Sequence, residues 1–133
     1  MESKISLITI WTDNIVPMKR FYRDILGFTI QQDLDEYVEF VNEGVRFAIC
    51  LRKVMYNFSN EFKILAKGQA FELAFPCKSI EDVDRSYDEL VAKGVKPIKA
   101  PENMPWNQRT ALFADPDGNI HEIFAEIDDS GKQ

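Results

Sequence analysis

The stretch Asp115-Pro116-Asp117-Gly118-Asn119-Ile120-His121-Glu122-Ile123-Phe124 joins a turn signal to a β-prone run and contains the only histidine of the chain. Pro116 fixes its own φ angle near the value that the second residue of a type I or type II turn needs. Gly118 takes a positive φ without steric strain. The run 115–119 therefore predicts a tight turn, with one strand entering it and another leaving it.

The strand that leaves this turn alternates between two kinds of side chain. Successive residues of a strand point to opposite faces, so Glu122 shares a face with Ile120 and Phe124, whereas His121 faces the other way. A carboxylate between two apolar neighbours needs an explanation, because an ionised group is destabilised where it is shielded from water. Glu122 is therefore the best candidate for a catalytic residue, and a structural role is favoured for His121.

Outward from the turn, the second half of the chain predicts one helix and four strands. Ser79 and Asp82 have the spacing of an N-terminal capping box, and Gly94 is typical of the residue that follows a helix. The buried stripe of this helix is predicted to consist of Val83, Tyr87, Leu90 and Val91. The predicted strands are 70–77, 95–100, 108–114 and 120–127, and a proline-rich loop is predicted at 101–106.

The first half of the chain repeats this order of elements. Apolar residues at helical spacing predict a helix over 16–26, and Gly27 follows it as Gly94 follows the other helix. The predicted strands are 4–11, 28–32, 37–41 and 45–52. A linker with one helical turn, residues 53–69, joins the two halves.

Two β-α-β-β-β halves, about residues 4–52 and 70–127, predict an α+β fold. Paired modules of this kind form curved mixed sheets around a central cavity, with the helices outside. Small molecules bind preferentially in such clefts. We therefore expect a single domain, residues 1–133, with its function in that cavity.

The composition disfavours several functional classes. The 133 residues carry a net charge of −6, with a pI of about 4.8, and no basic block is present that would contact phosphates. Nucleic acid is therefore not an expected partner. Two cysteines, Cys50 and Cys77, do not make a disulfide framework. No secretion signal is recognisable, and no apolar run approaches the roughly 20 residues of a membrane span, so we expect a soluble cytoplasmic protein.

Two motifs are more specific than the order of elements. One is Thr12-Asp13-Asn14 followed by Met-Lys-Arg-Phe-Tyr-Arg-Asp-Ile-Leu-Gly-Phe at 18–28, and the other is 115–119 followed by Glu122. Together with the paired modules, they resemble the vicinal oxygen chelate superfamily, which includes glyoxalase I, extradiol dioxygenases, fosfomycin resistance proteins and bleomycin resistance proteins. The resemblance implies a small-molecule ligand or substrate and a homodimer.

For members with metal chemistry, the resemblance implies one divalent ion, such as Zn, Ni, Mn or Fe, held by residues from four strands. The first position falls at Ser6 and the second within 48–50, which includes Cys50. Neither position supplies a good ligand for a hard metal. The third position falls at Glu72 and the fourth at Glu122, so two carboxylates fill half of the ligand set.

Other residues are candidates for contact with a ligand. Trp106 and Arg109 follow the proline-rich loop, and an aromatic plane with a guanidinium is suited to holding a substrate. The alternative for Trp106 is that it only anchors the loop. The predicted ligand-binding residues are Ser6, Cys50, Glu72, Trp106, Arg109 and Phe124.

Two functions agree with these residues. One is a metal-free binding protein, similar to bleomycin resistance proteins, that holds a small molecule in an acidic and aromatic cavity. The other is a divalent-metal-dependent lyase, isomerase or transferase similar to glyoxalase I, in which Glu122 or Glu72 moves a proton. The first is favoured, because the first half of the chain supplies no clear metal ligand.

Overall fold

The computed structural model describes residues 1–127, and the chain divides into two compact units between Lys67 and Gly68. Each unit contains one α-helix and one four-stranded mixed sheet. This arrangement confirms the predicted α+β fold with two β-α-β-β-β modules. Among residues 1–127, no helix has the length and apolar character that crossing a membrane requires.

The first unit contains the elements β1, Leu7–Thr12; α1, Ile15–Arg20; β2, Ile30–Asp33; β3, Tyr37–Phe40; and β4, Arg46–Leu51. Its strands are ordered β1-β4-β3-β2, with β1 parallel to β4 and the other pairs antiparallel. The alternating and apolar runs predicted these strands well, although β1 begins later than expected, at Leu7. The pairing makes β4 a central strand of this sheet.

The predicted helix 16–26 is present but is not uniform. It begins at Ile15 as α1 and continues as a π-helical turn, Phe21–Ile25. The Leu26 N–H donates five residues back at 3.0 Å, and Gly27 ends the segment with a φ of 83°. Spacing of apolar residues does not distinguish one π turn from an α turn, so the sequence predicted the helix and missed the change.

The π-helical turn packs against one side of the first sheet. Tyr22 is fully buried, and its ring centroid lies 6.0 Å from that of Phe40 and 5.3 Å from that of Phe47. We call this the helix-facing side of the sheet. Because residues alternate along a strand, Glu39 and Arg46 lie on the opposite side.

The linker predicted at 53–69 contains more regular structure than expected. Two 3₁₀-helical segments, Arg52–Asn57 and Asn60–Lys63, replace the single turn. The second segment packs the ring of Phe62 against that of Trp11, with the centroids 5.2 Å apart in an edge-to-face arrangement. The linker is therefore partly an element of the first unit.

The second unit contains the elements β5, Ala74–Pro76; α2, Ile80–Ala92; β6, Lys96–Met104; β7, Gln108–Ala114; and β8, Ile120–Glu126. Its strands are ordered β5-β8-β7-β6, with β5 parallel to β8 and the other pairs antiparallel. The order of strands matches that of the first sheet, so β8 is the central strand that corresponds to β4.

The strand predicted at 70–77 is much shorter in the structure, because only β5 itself forms a ladder. Before it, the Gln69 side chain takes the place of a backbone partner. Its Nε2 donates to the carbonyls of Phe71 and Ile120 at 2.8 and 2.6 Å, and its Oε1 accepts from the Ile120 N–H at 2.7 Å. An amide side chain therefore satisfies the backbone at the start of β8.

The prediction of a proline-rich loop at 101–106 was wrong for most of its length. Strand β6 continues through this region to Met104, and it contains Pro97 and Pro101. A proline lacks the N–H that a central strand must donate, but β6 is the edge of its sheet and can leave that position unpaired. The turn that follows is short, with Asn107 at a φ of 65°.

Helix α2 begins as the sequence predicts. The Ser79 hydroxyl accepts a hydrogen bond from the Asp82 N–H at 3.1 Å. Val83 and Leu90 are buried, but Val91 is 42% exposed, so its place in the predicted stripe was wrong. Consecutive helical residues are about 100° apart, and Val91 is turned away from the face that Leu90 buries.

Candidate functional site

Strand β8 separates two environments in the second unit. His121 and Ile123 are buried, at 2% and 5% exposure, on the side that packs against α2. Glu122 and Phe124 are half-buried on the opposite side. The alternation predicted from the sequence is therefore present, and it places the carboxylate away from the helix-facing core.

Glu122 lies in the middle of the sheet. Its N–H donates to the Leu73 carbonyl at 3.0 Å, and its cross-strand neighbours are Ala74 on β5 and Leu112 on β7. Burial raises the pKa of Glu122 above its usual value of 4.5, and the negative charge of Glu72 raises it further. Among residues 1–127, no hydrogen bond to the carboxylate opposes this shift. The ionised form of Glu122 is therefore poorly stabilised by the residues that the structure describes.

Thr110 adds a second polar group to this side of the sheet. It is opposite Phe124 in the pairing of β7 with β8, so it faces the same way as Glu122. Thr110 is 4% exposed, and its Oγ1 has no hydrogen-bond partner among residues 1–127. A buried hydroxyl without a partner destabilises a fold by about 1–3 kcal/mol. The sequence contained no signal for this group, because a threonine is common on any strand.

Trp106 is tied to the same side of the sheet. Its Nε1 donates to Gln108 Oε1 at 3.0 Å, and Gln108 Nε2 donates to Glu126 Oε1 at 2.7 Å. Gln108 and Glu126 are cross-strand neighbours that face the same way as Glu122. The indole is 60% exposed, so Trp106 anchors the turn and still presents most of its aromatic surface.

Arg109 lies on the other side of the sheet. It is opposite the buried Ala125, and its Nε donates to Asp84 Oδ1 on α2 at 2.8 Å. Its Nη1 donates to Asn103 Oδ1 at 2.9 Å. The guanidinium therefore joins the sheet to its helix and points away from the side that carries Glu122.

His121 is part of the packing between β8 and its neighbours. The Leu73 N–H donates to its Nδ1 at 3.1 Å, and its Nε2 lies 3.5 Å from Asp115 Oδ2. The rings of Phe75 and Phe113 have their centroids 6.1 and 6.0 Å from that of His121. These contacts agree with the structural role that its position in the strand predicts.

The first unit holds the two remaining predicted residues. Ser6 is exposed and precedes β1, and its carbonyl accepts the Arg46 N–H at 3.0 Å. Cys50 is 5% exposed on β4. Burial raises the pKa of the Cys50 thiol, and the charge of Glu36 raises it further. A thiol of this kind is neither an activated nucleophile nor a ready metal ligand.

Sequence reasoning missed a polar cluster on the first sheet. Arg46 donates to the Glu39 carboxylate through Nε at 2.8 Å and through Nη2 at 2.7 Å, and the Tyr37 hydroxyl donates to it at 2.7 Å. These hydrogen bonds lower the pKa of Glu39 to about 2. All three residues were visible in the sequence, but their contact depends on the register of β3 against β4.

The residues at the family's metal positions do not fit a resident metal ion. Glu72 is exposed and Glu122 is half-buried, and only their carboxylates are of a type that hard divalent ions prefer. Among residues 1–127, no group of three or more His, Cys, Asp or Glu side chains is placed so that it could hold a metal. A stable site needs about three protein ligands, or two with several waters.

A separate cleft of about 420 Å³ lies in the first unit. It is lined by Ile15, Val16, Lys19, Asp35, Glu36, Leu51 and Lys53. Its lysines are occupied, since Lys19 pairs with Asp33 at 2.9 Å and Lys53 lies 3.6 Å from Glu36. The cleft contains none of the predicted site residues.

Comparison with known proteins agrees with the fold. Residues 4–123 match the sequence profile of the Glyoxalase/Bleomycin resistance protein/Dioxygenase superfamily. The chain is 34% identical over 127 residues to YraH, an uncharacterized protein of Bacillus subtilis, which covers 91% of this chain and 97% of YraH.

Solved structures of other proteins have a similar fold. A glyoxalase/bleomycin resistance protein/dioxygenase family enzyme from Burkholderia phytofirmans has a TM-score of 0.84 and 22% identity, covering 94% of this chain and 100% of that one. A superfamily member from Sphaerobacter thermophilus has a TM-score of 0.71 and 27% identity, covering 94% and 98%.

Proposed function

The chain belongs to the glyoxalase/bleomycin resistance protein/dioxygenase superfamily, and we propose that it is a small-molecule binding protein of the glyoxalase/bleomycin resistance type, without a complete metal site. The proposal rests on the half-buried carboxylate of Glu122, which has no hydrogen bond from any of residues 1–127 to stabilise its charge. A ligand that brings a cation or an N–H donor would supply that stabilisation.

The surroundings of Glu122 indicate the kind of ligand. Phe124 flanks it on its own side of the sheet, and Leu112 is its neighbour on β7. We therefore propose an organic amine or a similar cationic or donor-bearing molecule with an apolar body, which suits a chain with a net charge of −6.

The remaining residues of the proposed site have different support. Glu72 adds negative charge near Glu122, and the exposed indole of Trp106 offers an aromatic surface on the same side of the sheet. Ser6 and Cys50 stay predictions that rest on family positions. Arg109 is left out, because its guanidinium is bound to Asp84 and Asn103 on the helix-facing side.

The competing hypothesis is a divalent-metal-dependent lyase, isomerase or transferase of the glyoxalase I type. The repulsion between Glu72 and Glu122 favours it, because a cation between the two carboxylates would stabilise the ionised form of Glu122. The absence of a third ligand in a suitable cluster within residues 1–127 opposes it.

A metal assay separates the two hypotheses. Protein purified without chelator is analysed for Zn, Ni, Mn and Fe, and the Glu122→Gln variant is treated in parallel. We expect far less than one ion per chain in both proteins. One tightly bound ion per chain that is lost in the variant would reject the metal-free proposal.

A binding screen tests the ligand class. Hydrophobic amines and their neutral isosteres are compared by thermal shift, since a ligand that binds the native state raises the midpoint. We expect amines to raise the midpoint of the wild type more than their isosteres, and Glu122→Gln to remove the difference. Glu126→Gln is the matched control, because Glu126 is on the same strand and side but already accepts from Gln108.

We further propose that residues 1–133 work as one domain and that the protein is a homodimer, as the family resemblance implies. Light scattering at micromolar concentration would then give twice the mass of one chain. A monomer mass under those conditions would contradict the dimer without affecting the ligand proposal.

A further inference from the structure

Arg46 is held in a fixed position on the first sheet, on the side away from the helix. Its Nε and Nη2 donate to the two oxygens of Glu39 at 2.8 and 2.7 Å. The side chain of Glu39 is 10% exposed, whereas that of Arg46 is 61% exposed. A buried carboxylate therefore holds an exposed guanidinium by two parallel hydrogen bonds, the strongest geometry available to this pair.

The Glu39 carboxylate accepts three hydrogen bonds in these contacts. Oε1 accepts from both Arg46 and the Tyr37 hydroxyl, and Oε2 accepts from Arg46. The guanidinium is not saturated, because arginine has five N–H donors and this pair uses one on Nε and one on Nη2. The Tyr37 hydroxyl also lies against the guanidinium, but the two N–H groups of Nη1 are not used by the hydrogen bonds to Glu39.

A second arginine of the same unit shows what an ordinary pair looks like. Arg23 donates to Asp24 through Nε at 2.7 Å and through Nη2 at 3.1 Å, so its hydrogen bonds are of the same type. Both side chains are exposed, at 43% and 50%, and adjacent in the chain. Such a pair forms and breaks readily in water and is weakly stabilising. Of these two arginines, Arg46 is the one held by a buried carboxylate.

We propose that the free edge of the Arg46 guanidinium binds the carboxylate of a small monoanionic ligand. The planar fork matches a carboxylate, and an arginine that is already oriented loses little rotamer freedom when it binds. A dianion such as phosphate fits less well, since the charge of Glu39 lies directly behind the guanidinium and repels the second negative charge.

The neighbours of Arg46 add an apolar contact. Leu7 is its partner in the parallel pairing of β1 with β4, and it is 38% exposed on the same side of the sheet. The ligand class is therefore a carboxylic acid with an apolar body. This site uses none of the residues proposed around Glu122, so it stands independently of the function proposed above.

Sodium benzoate is the probe for this site, and benzamide is its neutral isostere. The ¹⁵N-labelled chain is titrated with each, while the Arg Nε–Hε signals and backbone amides are followed by NMR. We expect saturable shifts at Arg46 and Leu7 with a Kd on the order of 1 mM, as for a fragment with few atoms. Benzamide and inorganic phosphate should bind at least about fivefold more weakly.

Variants locate the binding. Arg46→Gln should weaken benzoate binding by about tenfold or more, and Arg46→Lys should weaken it less, since it keeps the charge and loses the fork. Arg23→Gln is the matched control and should leave the Kd unchanged. Arg46→Gln removes the positive charge that pairs with the buried Glu39 carboxylate and could destabilise the fold. The double variant Glu39→Gln/Arg46→Gln is neutral at both positions and avoids this buried charge. It should also lose benzoate binding.

Several results would overturn the proposal. These are shifts that centre on Arg23, a Kd unchanged in Arg46→Gln or in the folded double variant, equal affinity for benzamide, or no saturation at concentrations far above the expected Kd. Tighter binding of phosphate than of benzoate would reject a monoanionic carboxylate as the ligand class.

Discussion

Glu39 and Glu122 occupy comparable places in the two halves of the molecule and have opposite environments. Each is on a strand, on the side of its sheet that faces away from the helix. Arg46 and Tyr37 donate three hydrogen bonds to Glu39 and hold its pKa at about 2. Within residues 1–127, Glu122 has no such partners, and burial together with Glu72 raises its pKa.

The difference shows that the same residue type has two roles in one fold. A carboxylate whose charge is already stabilised has nothing to gain from a ligand, but it can orient the group that stabilises it. A carboxylate whose charge is poorly stabilised gains free energy when a cation or donor arrives. This difference is the basis of the two proposed ligand contacts, Arg46 in the first half and Glu122 in the second.

The strongest test of this comparison is the stability of two matched variants. Glu39→Gln loses charge-assisted hydrogen bonds at a buried site and should lower the free energy of unfolding by about 2 kcal/mol. Glu122→Gln removes a destabilised charge and should leave that free energy unchanged or slightly higher. Urea denaturation at neutral pH measures both, and equal losses in the two variants would contradict the comparison.

The pH dependence of stability should have opposite signs at the two residues. The pKa of Glu39 is lowered from 4.5 to about 2, so between these values the unfolded chain binds more protons than the folded chain. The contribution of Glu39 to the free energy of unfolding is therefore lost as the pH falls through this range. The pKa of Glu122 is raised above 4.5, so just above pH 4.5 the folded chain binds more protons than the unfolded chain. The contribution of Glu122 to the free energy of unfolding is therefore lost as the pH rises through the raised pKa.

We would measure the free energy of unfolding of the wild type and of both variants from about pH 3 to pH 8. The wild-type profile minus that of Glu39→Gln should rise with pH at the acidic end. The profile minus that of Glu122→Gln should fall with pH above 4.5. The same sign in both differences would show that the environments are alike.

Two buried threonines test a smaller effect, which is the difference in stability between a buried hydroxyl with a hydrogen-bond partner and one without. Thr12, at 1% exposure, accepts a hydrogen bond from the Asn14 N–H at 2.9 Å, whereas the Thr110 hydroxyl has no partner among the described residues. Thr12→Val should lower the free energy of unfolding by about 1 kcal/mol, and Thr110→Val should raise it by a similar amount. A loss in both variants would mean that Thr110 has a partner in solution, such as water.

Much of the fold could be predicted because its signals are local. The Ser79 cap, the 115–119 turn and the alternation that separates His121 from Glu122 each depend on residues close together in the chain. The place of a strand at the edge of its sheet could not be predicted in this way. Strand β6 tolerates Pro97 and Pro101 only because it has a neighbour on one side, and no local pattern reports that position.

The candidate site could be predicted only in part, for a related reason. Both sides of β7 carry apolar residues, so the sequence did not reveal which side Arg109 would take, and the structure places it against Asp84 of the helix. Glu72 was expected on a strand, but the short β5 leaves it outside the ladder. Side-chain partners follow from register, which local spacing does not contain.

The sequence by itself determined the two-module α+β plan and the family resemblance, and it singled out Glu122 as a candidate, because turns, caps and alternation act within a few residues. Only the tertiary structure decided which carboxylate is satisfied. Arg46 reaches Glu39 because β3 pairs antiparallel with β4. Glu122 has no donor in the described part of the chain, because Leu112 and Ala74 are its neighbours across the sheet. Charge stabilisation depends on groups brought together by that pairing, and these are distant in the chain.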